Sequence, residues 1–163
     1  MCDLDKNQDV KVVILTGSGE KAFAAGADIA AMQAMSCEEA KCFSRIGQKT
    51  MDQVASMRPF VIAAVNGYAL GGGCELAMAC DMRVASEKAR MGIPEVTLCV
   101  FPGFGGTQRL PRLVGLGIAK ELLATGRQVH ADEAERSGLV NKVVCSTELL
   151  SYCLELGEQI VKN

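Results

Sequence analysis

Phe60-Val61-Ile62-Ala63-Ala64-Val65-Asn66-Gly67-Tyr68-Ala69-Leu70-Gly71-Gly72-Gly73-Cys74-Glu75-Leu76-Ala77-Met78-Ala79-Cys80 is the stretch on which the reading of the fold turns. Phe60 to Val65 is a short apolar run rich in β-branched residues, the composition of a strand buried on both faces. Asn66-Gly67 breaks it, and a second break follows at Gly71-Gly72-Gly73. Beyond the glycines, Cys74 to Cys80 is apolar at every position but Glu75. As a helix it has no face to offer water, so it must be buried. A strand that runs through glycines into a buried helix is a unit of an α/β protein.

Working outward, the upstream chain repeats the pattern. Lys11-Val12-Val13-Ile14-Leu15 reads as a buried strand closed by Thr16-Gly17-Ser18-Gly19. Asp28 can N-cap a helix that begins Ile29-Ala30-Ala31-Met32. A longer amphipathic helix is predicted from Cys37 to about Ser56, with Ala40, Phe43, Ile46, Met51 and Val54 as its apolar stripe and Arg58-Pro59 as its stop. Downstream, Met82 to Ala85 and Lys142 to Val144 read as strands. Gly117 to Thr125 and Ala131 to Ser137 read as helices, the second stopped by Gly138. Repeated β-then-α order predicts a mostly parallel sheet flanked by helices. Leu149 to Asn163 is an amphipathic helix whose apolar face has no later partner in sequence, so the chain is expected to be a fragment.

The 163 residues, 49% of them hydrophobic, suffice for one cored domain and predict a single unit over 1–163. A formal charge of −2 with Lys and Arg spread along the chain gives no basic stripe, so nucleic acid is not an expected partner. No apolar run is long enough to span a bilayer, and the charged opening Met1-Cys2-Asp3-Leu4-Asp5-Lys6 cannot serve as a signal-peptide core. No membrane association and a cytoplasmic location are expected. The 8 cysteines include no CxxC pair and are expected to be reduced, buried thiols that pack as small hydrophobes. With a lone His130 and no Cys/His cluster, the ligands of a zinc site are lacking, and no metal is expected. His130 itself reads as a solvated or capping residue.

Three features bear on chemistry. At Gly71-Gly72-Gly73 the free N–H groups and the positive end of the buried helix converge, a place for an oxyanion that side chains would block; a flexible turn is the alternative. A second small-residue loop, Ala24-Ala25-Gly26-Ala27, can supply the other donor of a two-amide site. Glu75 and Glu95 are acids among apolar neighbours, where burial raises a carboxyl pKa toward the range useful for proton transfer. Ion pairing of either acid with Arg83 or Arg109 is the structural alternative. Nucleophile-elbow, P-loop and dinucleotide fingerprints are all missing, and Pro102-Gly103-Phe104-Gly105-Gly106 is only superficially like the last.

Taken together, Phe23-Ala24-Ala25-Gly26-Ala27-Asp28-Ile29, Ala63 to Leu76, Pro94-Glu95 and Pro102 to Leu110 form four ordered motifs that resemble the enoyl-CoA hydratase/crotonase family. The resemblance runs from about Val12 to Val144 and comes especially close to bacterial short-chain members. It implies the crotonase (ClpP-like) ββα spiral and a lyase that adds water to a 2-enoyl-CoA, in fatty-acid or butanoate metabolism. It implies an oxyanion hole from the N–H groups of Ala27 and Gly72, with Glu75 and Glu95 as the catalytic acids and the Gly103 amide helping to hold the water. Ala27, Asp28, Ile29 and Ala30 match the acyl-CoA contact segment, and Lys21 lies where a cation meets CoA phosphates, though a solvated Lys21 fits equally. No cofactor is implied, CoA being part of the substrate.

Both acids are present, whereas isomerases, hydrolases and decarboxylases of this fold commonly lack or replace one. A hydratase is therefore expected, with an enoyl-CoA isomerase, a 3-hydroxyacyl-CoA dehydratase or an inactive truncated acyl-CoA-binding module as alternatives. Cys99 departs from the pattern, standing where relatives often carry glycine, and Val100-Phe101 is bulkier than usual. Complete members also carry an N-terminal β-rich segment and a C-terminal helical region that builds the trimer. Neither is recognisable here, and the full-length form is expected to be a homo-hexamer, a dimer of trimers.

Overall fold

The computed structural model describes residues 2–163. Strands β1 (Val12–Thr16), β3 (Phe60–Val65), β5 (Met82–Ser86) and β8 (Lys142–Val144) form one sheet in that order, every pair parallel. Strands β2 (Ala22–Ala24), β4 (Tyr68–Leu70), β6 (Arg90–Gly92) and β7 (Gln128–His130) form a second sheet, parallel except where β6 meets β7. The chain alternates between the sheets: β1 then β2, β3 then β4, β5 then β6, with helical segments after each pair. This is the ββα spiral that the resemblance implied. The β-then-α reading of the residues alone had suggested one sheet. Two arise because a second, short strand follows each break, at residues 17–19, at Gly67 and at residues 87–89, before the chain turns helical.

Helices α1 (Cys2–Lys6), α2 (Ile29–Gln33), α3 (Cys37–Ala55), α4 (Gly72–Ala79), α5 (Gly106–Val114), α6 (Leu116–Thr125), α7 (Ala131–Arg136) and α8 (Leu149–Lys162) flank the sheets. The predicted start of α3 is reinforced by a capping box, in which Ser36 Oγ accepts from the Glu39 amide and the Glu39 carboxylate accepts from the Ser36 amide. Arg58 ties α1 to the body, its amide donating to Asp5 and its guanidinium to the carbonyl of Val10.

Strand period divides the core in two. Val61, Ala63 and Val65 point into the larger cluster, with Cys74, Ala77 and Met78 of α4 and Met51 and Val54 of α3. The alternate residues Ile62 and Ala64 point the other way, onto Leu149 and Cys153 of α8. β3 is thus covered on both faces, which explains its unbroken apolar run. The same packing gives α8 the partner that its sequence had not disclosed. It folds back on the first sheet through Leu149, Cys153 and Gly157, while Leu150, Leu154 and Val161 on its other side are exposed.

The expectation for the cysteines needs correction. Cys74, Cys80 and Cys153 are buried, but Cys37, Cys42, Cys99 and Cys145 are exposed, because they lie on solvent-facing helix positions and turns; these seven are free thiols, and the side chain of Cys2 lies outside what the structure describes.

Candidate active site

Gly71 shapes the site. Pairing of β4 with β6 brings Leu70 beside Gly92, and the Gly71 amide continues the ladder by donating to the Gly92 carbonyl at 2.9 Å. Its φ of 54° with ψ of −124° is open in practice to glycine alone, and a Cβ there would lie 2.9 Å from Glu95 Oε1. This sharp turn starts α4 at Gly72, whose N–H falls in the first helical turn and has no intrahelical acceptor. Gly73 presses on β2 so closely that a Cβ would come within 1.9 Å of the Ala24 carbonyl oxygen.

The second small-residue loop meets this turn. β2 runs parallel to β4, so the chain leaving Ala24 passes next to the chain leaving Leu70. A Cβ on Gly26 would lie 3.0 Å from the Leu70 oxygen and 3.7 Å from the Gly72 nitrogen. Among the described residues the Ala27 amide has no acceptor. Two N–H groups without an acceptor among the described residues thus lie on adjoining glycine loops.

Both acids lie at this junction. Glu75, one turn into α4, is 1% exposed. Its Oε1 accepts from the amides of Phe104 at 2.9 Å and Gly106 at 2.7 Å, the second being the first residue of α5. Burial pushes its pKa up, while these two amides and the Arg109 charge pull it down. Glu95 stands on a 3-10 turn, Pro94–Leu98, with its Oε1 against Gly71. Its Oε2 is buried without a hydrogen-bond partner among the described residues. Burial pushes its pKa up to about 7, with the nearby Glu75 charge adding to the rise. The ion-pair alternative fails for both acids. Arg83 donates to the carbonyls of Leu139 and Cys80, and Arg109 donates to Phe104 and to Asp52.

Of the remaining candidates, Asp28 caps α2, accepting from the amides of Ala30 and Ala31 at 3.0 and 3.2 Å. Ile29 and Ala30 are exposed just after the Gly26–Ala27 loop, whereas Lys21 is exposed at the opposite end of β2, its carbonyl accepting from the Tyr68 amide. The Gly103 carbonyl accepts from Ser44 Oγ and Gln48 Nε2 of α3. Of the two readings of His130, solvated or capping, the structure shows an exposed side chain that makes no cap at the start of α7. Among the described residues no group of His, Cys, Asp and Glu is arranged to hold a metal ion, and no helix is long and apolar enough to cross a membrane. Sequence reasoning missed the amides of Phe104 and Gly106 and the α3 side chains behind them, since a backbone donor leaves no residue-type signal.

The family model described as enoyl-CoA hydratase/isomerase matches residues 1–163. The short-chain-enoyl-CoA hydratase of Clostridium acetobutylicum is similar, 53% identical over 161 residues that make up 99% of this chain and 62% of the relative. The crotonyl-CoA hydratase of Syntrophomonas wolfei is 57% identical over 154 residues, 94% of this chain and 59% of its own length. A crystal structure of enoyl-CoA hydratase from Bacillus anthracis superposes with a TM-score of 0.95 at 48% identity, covering 99% of this chain and 63% of that one. The chain therefore spans about three-fifths of the length of the relatives it matches.

Proposed function

Because the chain belongs to the enoyl-CoA hydratase/isomerase family, we propose that its 1–163 unit is a catalytic core that hydrates short-chain 2-enoyl-CoA thioesters to 3-hydroxyacyl-CoA. The observation that carries this reading is the unpartnered buried oxygen of Glu95, facing the glycine turn from which Glu75 also projects. An orphaned carboxylate oxygen at such a place costs stability, and a reacting proton gives it a use.

The proposed chemistry uses the contrast between the acids. Glu75, with one oxygen taken by two N–H donors, is favoured as the ionised partner; its other oxygen orients a water and takes its proton as the oxygen bonds to C3. The C2=C3 electron pair moves into the thioester, and the enolate oxygen is held by the Ala27 and Gly72 N–H groups. Glu95, with a pKa of about 7, is partly protonated near neutrality and gives its proton to C2. The Gly103 segment helps hold the water. Ala27 to Ala30 contacts the acyl-CoA and Lys21 the CoA phosphates. CoA enters only as part of the substrate and no cofactor takes part. In this reading the full-length protein is a cytosolic hexamer, and a monomeric, fully active species in solution would rule that assembly out.

The test is loss of enoyl-thioester absorbance with crotonyl-CoA, for the parent chain and for Glu75→Gln and Glu95→Gln. Turnover in the parent that both substitutions abolish is the expected result. Double-bond migration without hydration would turn the reading to an isomerase, and CoA-thioester binding without turnover to a binding module.

A further inference from the structure

Of the two amides that hold Glu75, that of Phe104 is itself held by side chains. Gly103 and Phe104 share one peptide unit. Its N–H donates to Glu75 Oε1 at 2.9 Å, and its C=O accepts from Ser44 Oγ at 2.8 Å and Gln48 Nε2 at 2.9 Å. Donation into a peptide oxygen polarises the unit and strengthens its N–H as a donor. The next carbonyl, that of Phe104, accepts from the Arg109 guanidinium at 3.1 Å, whose other arm donates to Asp52 at 2.8 Å. Ser44, Gln48 and Asp52 are spaced i, i+4, i+8, so they form one line along α3. Gly47 beside them lets the Phe104 ring lie on the helix, since a Cβ there would meet Phe104 Cδ1 at 2.1 Å. The Phe43 ring, at 5.4 Å between centroids, closes the contact.

We propose that the α3 line of Ser44, Gln48 and Asp52, acting with Arg109, is a positioning brace that fixes the Gly103–Gly106 loop and so aims the Glu75 carboxylate at the substrate. The inference rests on the proposed assignment of Glu75 as the group that takes the proton of water. None of the four touches the reacting atoms; each acts through the loop. Their effect on Glu75 has a definite sign. Burial raises its pKa, and the Gly106 and Phe104 amides and the Arg109 charge oppose the rise. Weakening the brace leaves burial less opposed, so Glu75 retains its proton to higher pH and is a scarcer base.

The experiment is a pH titration of the Glu75 side-chain carboxyl by NMR on the full chain carrying carbon-13 in its glutamates, the signal being assigned by its loss in Glu75→Gln. Wild type is compared with the Ser44→Ala/Gln48→Met double variant and with Ser44→Thr, which keeps a hydroxyl donor. The expected result is an upward move of the Glu75 midpoint in the double variant and a wild-type midpoint in Ser44→Thr. Crotonyl-CoA hydration should fall about 3- to 10-fold in kcat with KM within about twofold, its acid limb moving upward with the NMR midpoint. An unmoved Glu75 midpoint in a folded double variant overturns the brace, whatever happens to Tm. If the double variant does not fold, Gln48→Met alone is titrated and must show the same direction. A parent chain that hydrates no crotonyl-CoA sinks the hydratase reading, yet the Glu75 midpoint still decides whether the brace acts on it.

Discussion

The segment from Gly71 to Ala79 is largely closed, packed among α3, α5, β2 and β4 with only Gly72 and Leu76 half-buried, and its single acid has two N–H donors on one oxygen. The segment from Pro94 to Phe101, which carries the other acid, is open. Leu98 is 48% and Phe101 73% exposed, and one Glu95 oxygen has no partner among the described residues. Deep burial of a carboxylate demands donors, because an unpaired charge out of water is costly. At a half-open margin the same side chain can dispense with donors by keeping its proton. Two identical functional groups thereby acquire different proton affinities from their surroundings, the arrangement that acid–base chemistry requires.

The sharpest way to break this comparison is to neutralise each acid in turn. Glu75→Gln and Glu95→Gln should each lower kcat about 10²- to 10⁴-fold with crotonyl-CoA. The parent should also lose activity on the alkaline side as pH rises through about 7, where Glu95 gives up its proton. A rate that is flat across that range would show that Glu95 is not the proton donor.

The closed segment should tolerate almost no added volume. Gly106→Ala would set a Cβ 2.9 Å from Glu75 Oε1 and 3.0 Å from both Glu75 Cγ and Ile93 Cδ1, side chains that full burial and, for Glu75, two hydrogen bonds keep from yielding. Denaturant unfolding should show a loss of about 2–3 kcal/mol, and activity should fall with it. Unchanged stability would mean that the α5 end is less tightly packed against Glu75 than the geometry states.

Much of the closed segment was legible in the sequence, for a physical reason. A single acid in an apolar helix after three glycines has few structural explanations, and β3 shows its burial in its composition. The second sheet was not legible. β2, β4, β6 and β7 are three residues each, too short for a period-2 pattern, and Ala22–Ala24 reads as a loop until it pairs with Tyr68–Leu70. α5 was also missed, because Pro111 inside it signals a break. The donors that hold Glu75 and the α3 side chains behind them join residues about 30 and 60 positions apart, which no local motif records.

A smaller effect concerns stability and runs opposite to activity. The native chain raises the Glu95 pKa from 4.5 to about 7, so between those values it binds more protons than the unfolded chain. Stability therefore falls as pH rises through that window, and the full penalty is present above about 7. Glu95→Gln removes the penalty. After discounting for the partial exposure of this segment, the gain near pH 8 should be about 1–2 kcal/mol, vanishing near pH 4. Equal stability of parent and variant across the whole range would mean that Glu95 is no less solvated in the fold than in the open chain.

The smallest effect lies at the far end of the open segment, where Cys99 has φ 56° and ψ 27°, the left-handed region. Among the described residues it is the one non-glycine with positive φ, and its N–H closes the 3-10 turn on the carbonyls of Glu95 and Val96. Holding a residue with a Cβ there costs about 1–2 kcal/mol, of which glycine would recover part while losing about 0.5–1 kcal/mol to its freer unfolded chain. Cys99→Gly should thus stabilise the protein by roughly 0.5–1 kcal/mol in thermal unfolding. The Cys99 position is thus first a cost in backbone conformation, which glycine would avoid, before it is a matter of pocket shape. The exposed thiol makes no hydrogen bond among the described residues, so a loss of stability would mean that the turn relaxes away from the left-handed conformation in solution.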